Sequence, residues 1–156
     1  MLVEIGALFR NPATSKKHHT AGVYAGVLGY SVNTEILKEK GLPMPKSWAD
    51  IAKPEYKGMV QVASPQSSGT AYTVLATMTQ IMGEEDAFKY LAKLHKNVNQ
   101  YTKSGSAPGK AAARGETMIG IGFLHDHAQQ KANRFPLELV VTTEVTGYEI
   151  GGLSII

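Results

Sequence analysis

Residues Met59 to Tyr72 read MVQVASPQSSGTAY. Met59 to Ala63 is a short, nearly continuous apolar run, the pattern of a strand buried on both faces. The run stops at Ser64 and Pro65, and Ser67-Ser68-Gly69-Thr70 then opens a helical pattern that continues to about Met82. A buried strand that feeds directly into a helix is the repeating unit of an α/β sheet. The unit recurs downstream. Val98 to Thr102 reads as a strand and passes through KSGSAPGK, Lys103 to Lys110, into a helix ending near Ala113. Ser106 is its expected cap, and Pro108 falls in the first turn, where a missing N–H costs nothing. TMIGIGF, Thr117 to Phe123, is a second apolar strand, and Asp126 to Ala132 is helical in pattern.

On the amino side, Gly22 to Asn33 (GVYAGVLGYSVN) is a Val- and Tyr-rich strand region. Asn33 or Thr34 caps the short helix EILKEK, and Ser47 caps WADIA, which ends at Pro54. Within the helix opened at Ser67, Tyr72, Leu75, Ala76 and Thr79 are the expected inner stripe. After Gly83, a helix starts on Glu84-Glu85-Asp86, acids that suit the positive end of the helix dipole. Its expected inner stripe is Phe88, Leu91, Ala92 and Leu94 or His95. Leu137 to Thr142 and Tyr148 to Ile156 read as further strands. The expected fold is a three-layer α/β sandwich, a mixed and mostly parallel sheet with helices on both faces, with Met59–Ala63 and Thr117–Gly122 as central strands.

Composition fits this fold. The 156 residues are 43% hydrophobic and 19% charged, enough apolar matter for one domain-sized core. The net charge of +3 leans toward anionic small molecules but falls short of a nucleic-acid footprint. Lys16-Lys17-His18-His19 reads as a solvated loop rather than a binding patch. The absence of cysteine excludes disulfides and thiolate metal sites. No apolar stretch is long enough to cross a bilayer, and the first ten residues, with Glu4, do not read as a secretory signal.

Chemistry has three candidate places. Ser67, Ser68, Gly69 and Thr70 form a helix start with hydroxyls and a glycine, so free N–H groups and the dipole could hold an anion; plain capping by Ser67 or Ser68 is the alternative. Ser104, Gly105 and Ser106 repeat the arrangement after the next strand, with the same alternative. Ligands of open α/β sheets gather beyond the carboxyl ends of strands, where both segments fall. The third place is LHDHA, Leu124 to Ala128. His125 and Asp126 could hydrogen-bond a polar ligand, or His125, Asp126 and His127 could ligate a metal, although residues two apart do not share a helix face. No compact catalytic motif is present.

The segments VYAGVLGYSVNTEILKEKGLPMPKSWADI, AKPEYKGMVQVASPQSSGTAY, SGSAPGKAAARGE and MIGIGFLHD together resemble the type 2 periplasmic solute-binding proteins of ABC importers, in the group of ferric-iron and phosphonate receptors. The resemblance covers roughly Thr20 to Ile156. It implies that residues 1–156 are a single α/β lobe, the second of two, with the solute held between lobes. It implies a binding role and no enzymatic one, no cofactor, a partner lobe and a membrane permease, and a periplasmic or extracellular parent whose signal lay upstream. Iron-binding members carry adjacent tyrosines after the strand that here ends in MIGIGF. His125-Asp126-His127 stand there instead, so the resemblance favours a small anion such as a phosphonate or phosphate ester over ferric iron. Metal binding through those three residues and a small α/β hydrolase are the rival readings. Thr142-Thr143-Glu144-Val145 and Ile5-Gly6-Ala7-Leu8 are less typical of the family, as redesign into a free-standing lobe would leave them. A severed lobe is expected to bind its solute in the millimolar range at best and to self-associate as a homodimer through its exposed face or terminal strands.

Overall fold

The strand Ile119–Phe123 carries its bulk on one side only. Ile119, Ile121 and Phe123 enter a core with Leu28, Tyr30, Val32, Val60, Val74 and Met78, all buried. The alternate positions are Gly120 and Gly122. A Cβ on Gly120 would strike the Pro108 carbonyl, and one on Gly122 would lie 2.9 Å from His127 Nε2. Glycines let helices press against one face while large side chains build the other layer.

The computed structural model describes residues 20–154. In chain order the strands are β1 (Thr20–Asn33), β2 (Val60–Ala63), β3 (Val98–Thr102), β4 (Ile119–Phe123), β5 (Leu137–Val140) and β6 (Tyr148–Ser154). The α-helices are α1 (Thr34–Glu39), α2 (Trp48–Ile51), α3 (Gly69–Met82), α4 (Glu84–His95), α5 (Ala107–Ala113) and α6 (Leu124–Ala132), with a 3-10 turn at Pro54–Tyr56. Sheet order is β3-β2-β4-β1-β5, and β6 pairs with β1. β2 pairs in parallel with β3 and β4, whereas β1 is antiparallel to β4 and β5. β2, β3, β4 and β5 therefore point the same way and β1 opposes them. The sheet is mixed, as the sequence predicts, with two parallel and two antiparallel pairings among β1 to β5, and β2 and β4 are the expected interior strands, buried along their whole length. This is the lobe architecture of a type 2 periplasmic binding protein.

Residues 27–147 form one compact unit. The described residues 20–26 and 148–154 belong to another, in which β6 pairs with β1 and Gly151 packs on the Tyr24 ring.

Local chemistry explains the short elements. Asn33 Oδ1 accepts from the N–H groups of Glu35 and Ile36, both at 3.1 Å, while its Nδ2 donates to the Ala112 carbonyl at 2.8 Å. One buried side chain thus caps α1 and ties β1 to α5. Ser47 and Asp50 close a capping box on α2, with the Lys53 ammonium 2.6 Å from Asp50. The hydrogen bond to Lys53 is the main reason the Asp50 carboxyl titrates near about 2. Trp48 meets Tyr30 edge-on at 5.8 Å, and the hydroxyls of Tyr30, Tyr56 and Tyr90 donate to the carbonyls of Ser47, Pro43 and Trp48. Burial pushes the Tyr56 phenol up to about 12 and those of Tyr30 and Tyr90 further, so all three remain donors.

Three local expectations need correction. α3 buries Ala71, Val74, Thr77 and Met78, leaving Tyr72 63% exposed. α4 buries Ala87, Tyr90 and Leu94, leaving Phe88 55% exposed along with Ala92 and His95. In α3 the helical period is right and the buried face lies about one position earlier, whereas in α4 the expected Leu94 is buried and Leu91 packs against the core while Ala87 and Tyr90 take the places expected of Phe88 and Ala92. Ser106 is not a side-chain cap. Its φ and ψ of −85° and −12° are already helical, and no side-chain bond to a following N–H forms.

Candidate functional site

Because β2, β3 and β4 run parallel, their carboxyl ends meet at one edge. Segments 64–70 and 103–106 and the start of α6 all emerge there. The first two are in direct contact. Ser67 Oγ donates to the Lys103 carbonyl at 3.1 Å, and the Ser64 N–H donates to the Thr102 carbonyl at 2.8 Å. A Cβ on Gly105 would collide with Thr70 Oγ1 and reach Ser68 Oγ at 3.0 Å. Only glycine lets the turn 104–106 lie against the start of α3. On the far side, the Gly105 carbonyl oxygen lies 3.1 Å from where a Gly122 Cβ would stand, so this turn is wedged between α3 and β4.

Ser68 is the cap of α3. Its φ and ψ of −134° and 121° are extended, and its Oγ accepts from Ala71 N–H at 3.4 Å. Ser67 and Ser68 N–H both donate back to the Ser64 carbonyl. Among the described residues, no acceptor takes the N–H of Gly69 or Thr70, which are the donors a helix start leaves over. A Cβ on Gly69 would meet nothing within 4 Å, so the approach to those donors is open. Ser104 Oγ and Ser106 Oγ share a 3.3 Å hydrogen bond, and Thr102 Oγ1 donates to the Ser104 carbonyl. Ser67, Ser68, Gly69, Thr70, Ser104, Gly105 and Ser106 therefore form one polar cluster, in which Ser68 is buried and caps α3 while Ser67 and Ser104 are exposed. Ser64 and Thr102, which the sequence did not single out, brace the two turns.

The three polar residues of α6 part company. His125 is half exposed, its ring stacked on Phe123 at 5.6 Å and 13°, with Nε2 3.8 Å from Asp126 Oδ1. Asp126 is partly exposed beside it. His127 turns inward and is fully buried, its ring against Gly109 and Gly122, and neither ring nitrogen has a partner among the described residues. Burial, then the neighbouring His125, pulls its pKa from the usual 6.5 to about 4. His125, Asp126 and His127 do not converge. Among the described residues no group of three or more His, Asp or Glu side chains could hold a metal ion. Helical geometry turns a residue two positions along to a different face.

A concavity of about 890 Å³ lies elsewhere among the described residues. Ala49, Lys53, Lys57, Lys93 and Lys96 line it at the amino ends of β2 and β3. The polar patch is an open edge rather than a cavity.

Residues 6–147 match the family described as bacterial extracellular solute-binding protein. The chain belongs to that family. It is 55% identical over 154 residues to an uncharacterized protein of Haemophilus influenzae, covering 98% of this chain and 44% of that protein. Among solved structures it is similar to the periplasmic binding protein AfuA from Actinobacillus pleuropneumoniae with exogenous fructose-6-phosphate bound. That match has 54% identity and a TM-score of 0.87, over 94% of this chain and 46% of the other. The periplasmic binding protein P5PA matches at 40% identity and TM-score 0.84, over 99% of this chain and 48% of that one. The chain thus spans about half the length of these relatives. Ferric iron-binding protein A of Mannheimia haemolytica, in an open conformation, shares 21% identity at TM-score 0.63, over 94% of this chain and 51% of that one, and so shares the fold.

Proposed function

We propose that this chain forms one wall of the solute site of an ABC-importer receptor, and that the solute is a phosphorylated sugar. The observation that carries the reading is the packing of Gly105 against Ser68 and Thr70, which joins two serine-bearing turns into one patch of hydroxyls over the open N–H groups of Gly69 and Thr70. A phosphate suits that patch because the positive end of α3 and its unpaired donors favour anions. His125 and Asp126 offer a donor and an acceptor to sugar hydroxyls at the same sheet edge. The bound fructose-6-phosphate of the AfuA structure supports the same class of solute. No covalent step is needed, and the related proteins are binding proteins. The other wall, a membrane permease and a periplasmic setting complete the proposal.

One wall alone binds weakly. An exposed anion gains about 0.3–1 kcal/mol from a helix dipole, and each hydrogen bond adds about 1 kcal/mol after exchange with water. A millimolar dissociation constant requires about 4 kcal/mol, which a few such contacts barely supply. Titration of the amide NMR spectrum with fructose 6-phosphate, fructose and inorganic phosphate tests this. The expected result is millimolar binding of the sugar phosphate, with the largest shifts at Gly69, Thr70 and Gly105, and weaker binding of fructose. Gly69→Pro removes one donor at a helix position that tolerates proline, after an extended Ser68 that proline also tolerates. It should weaken the phosphate ligands and leave fructose unchanged. Equal affinity for fructose and its phosphate would overturn the anion assignment. Micromolar affinity would show a complete site within this chain.

A further inference from the structure

His127 is the largest polar side chain among the fully buried residues that finds no hydrogen bond at either end of its ring. Leaving a buried polar group unpaired is costly, so its presence here calls for a reason. Its surroundings are shaped for it. A Cβ on Gly109 would strike the ring carbon Cδ2 and lie 2.7 Å from Nε2, and a Cβ on Gly122 would lie 2.9 Å from Nε2. Two glycines, one on α5 and one on β4, thus make a cradle for one imidazole. The same missing methyl of Gly122 would stand 3.1 Å from the Gly105 carbonyl oxygen. His127 Nε2 and that carbonyl flank one small gap. The Gly105 carbonyl belongs to the turn that packs on Ser68 and Thr70, and His127 belongs to the helix that opens with His125 and Asp126.

We propose that His127 is a positioning residue for the solute edge: its Nε2–H donates to the Gly105 carbonyl when a ligand draws the 104–106 turn inward, coupling that turn to His125 and Asp126 without touching the ligand. No side chain of residue 122 stands between Nε2 and that carbonyl. Neutrality of the ring follows from its burial, so one nitrogen carries a proton and the other does not. Proton placement at Nε2 is what the carbonyl requires, and an outer hydrogen bond of this kind fixes both tautomer and orientation.

The proposal rests on the reading of this edge as the solute wall, and the test separates the two. Wild-type chain is compared with His127→Gln, His127→Phe and His127→Ala by amide NMR, thermal unfolding and fructose 6-phosphate titration. Gln keeps a donor near the Nε2 position, whereas Phe fills the cradle without one. His127→Gln should keep the Gly105 and Ser106 resonances and the affinity of the wild type. With fructose 6-phosphate present, Phe and Ala should shift those resonances and weaken the ligand by roughly three- to tenfold, the range of one hydrogen bond. Ring nitrogen spectra should place the wild-type proton on Nε2 and change on ligand addition. Phe behaving as wild type, Gln no better than Phe, or a proton on Nδ1 would each overturn the proposal and leave His127 a packing residue. Failure of the wild type to bind fructose 6-phosphate would overturn the proposed function and this role with it, whereas wild-type binding with the Gln and Phe variants equal to each other would overturn the role of His127 alone. An unfolded Ala variant leaves that pair sufficient.

Discussion

The helix starts at Ser67–Thr70 and Ser104–Ser106 look alike as sequence and differ in the structure. Each follows a strand and presents two serines and a glycine. Ser68 is extended and caps a helix of 14 residues, whereas Ser106 is already helical, caps nothing and precedes a helix of seven. Gly69 stands in open space, while Gly105 is pressed between the hydroxyls of Ser68 and Thr70. One turn supplies the free donors and the other is the packing piece that holds hydroxyls beside them. Composition specifies a turn's chemistry, and its neighbours specify its task.

The sharpest way to break the contrast is acid, because the packed turn rests near a buried neutral histidine. The folded-state pKa of His127 is depressed, so the unfolded chain takes up the proton more readily. Stability from this group is complete above pH 6.5 and is lost as pH falls from there toward about 4. The loss approaches about 3 kcal/mol, at about 1.4 kcal/mol per pKa unit. Urea unfolding at pH 7, 5.5 and 4 should show it, and His127→Phe should flatten that part of the profile. An unchanged wild-type profile would mean that the ring reaches solvent.

Gly105→Ala comes next. The new methyl must displace Thr70 and Ser68, so a loss of about 1–3 kcal/mol is expected, the usual cost of overpacking. Fructose 6-phosphate affinity should fall with it. Ser68→Ala should cost about 0.5–2 kcal/mol for the lost cap. Ser106→Ala and Gly69→Ala should both stay within about 0.5 kcal/mol, since the first breaks only an exposed serine pair and the second meets no atom. Thermal unfolding of the four variants ranks them. A Ser106 effect equal to that of Ser68 would erase the distinction between the turns.

Much of this was legible in the sequence because local signals agreed with the fold. Strand runs, the Asn33 and Ser47 caps and the glycine between α3 and α4 are local chemistry, and each stands where the pattern predicts. Phase was not legible. Tyr72 and Phe88 are aromatic and at helical spacing, yet both are exposed, because the faces that bury depend on where α3 and α4 meet each other and the sheet. His125 and His127 are the same residue type in one short motif, and only the fold sends one to the surface and the other into a glycine cradle.

The sequence by itself determined the α/β alternation, the serine-bearing helix starts and the small-large rhythm of IGIGF, since periodicity, capping and side-chain size act over a few residues. The tertiary structure decided that Gly105 touches Thr70, that Gly109 and Gly122 close on His127, and that three turns share one edge. The contacts of Gly105 with Thr70 and of Gly109 with His127 join residues well separated in sequence, and they depend on the parallel pairing of β2, β3 and β4, which brings the same end of each strand to the same place.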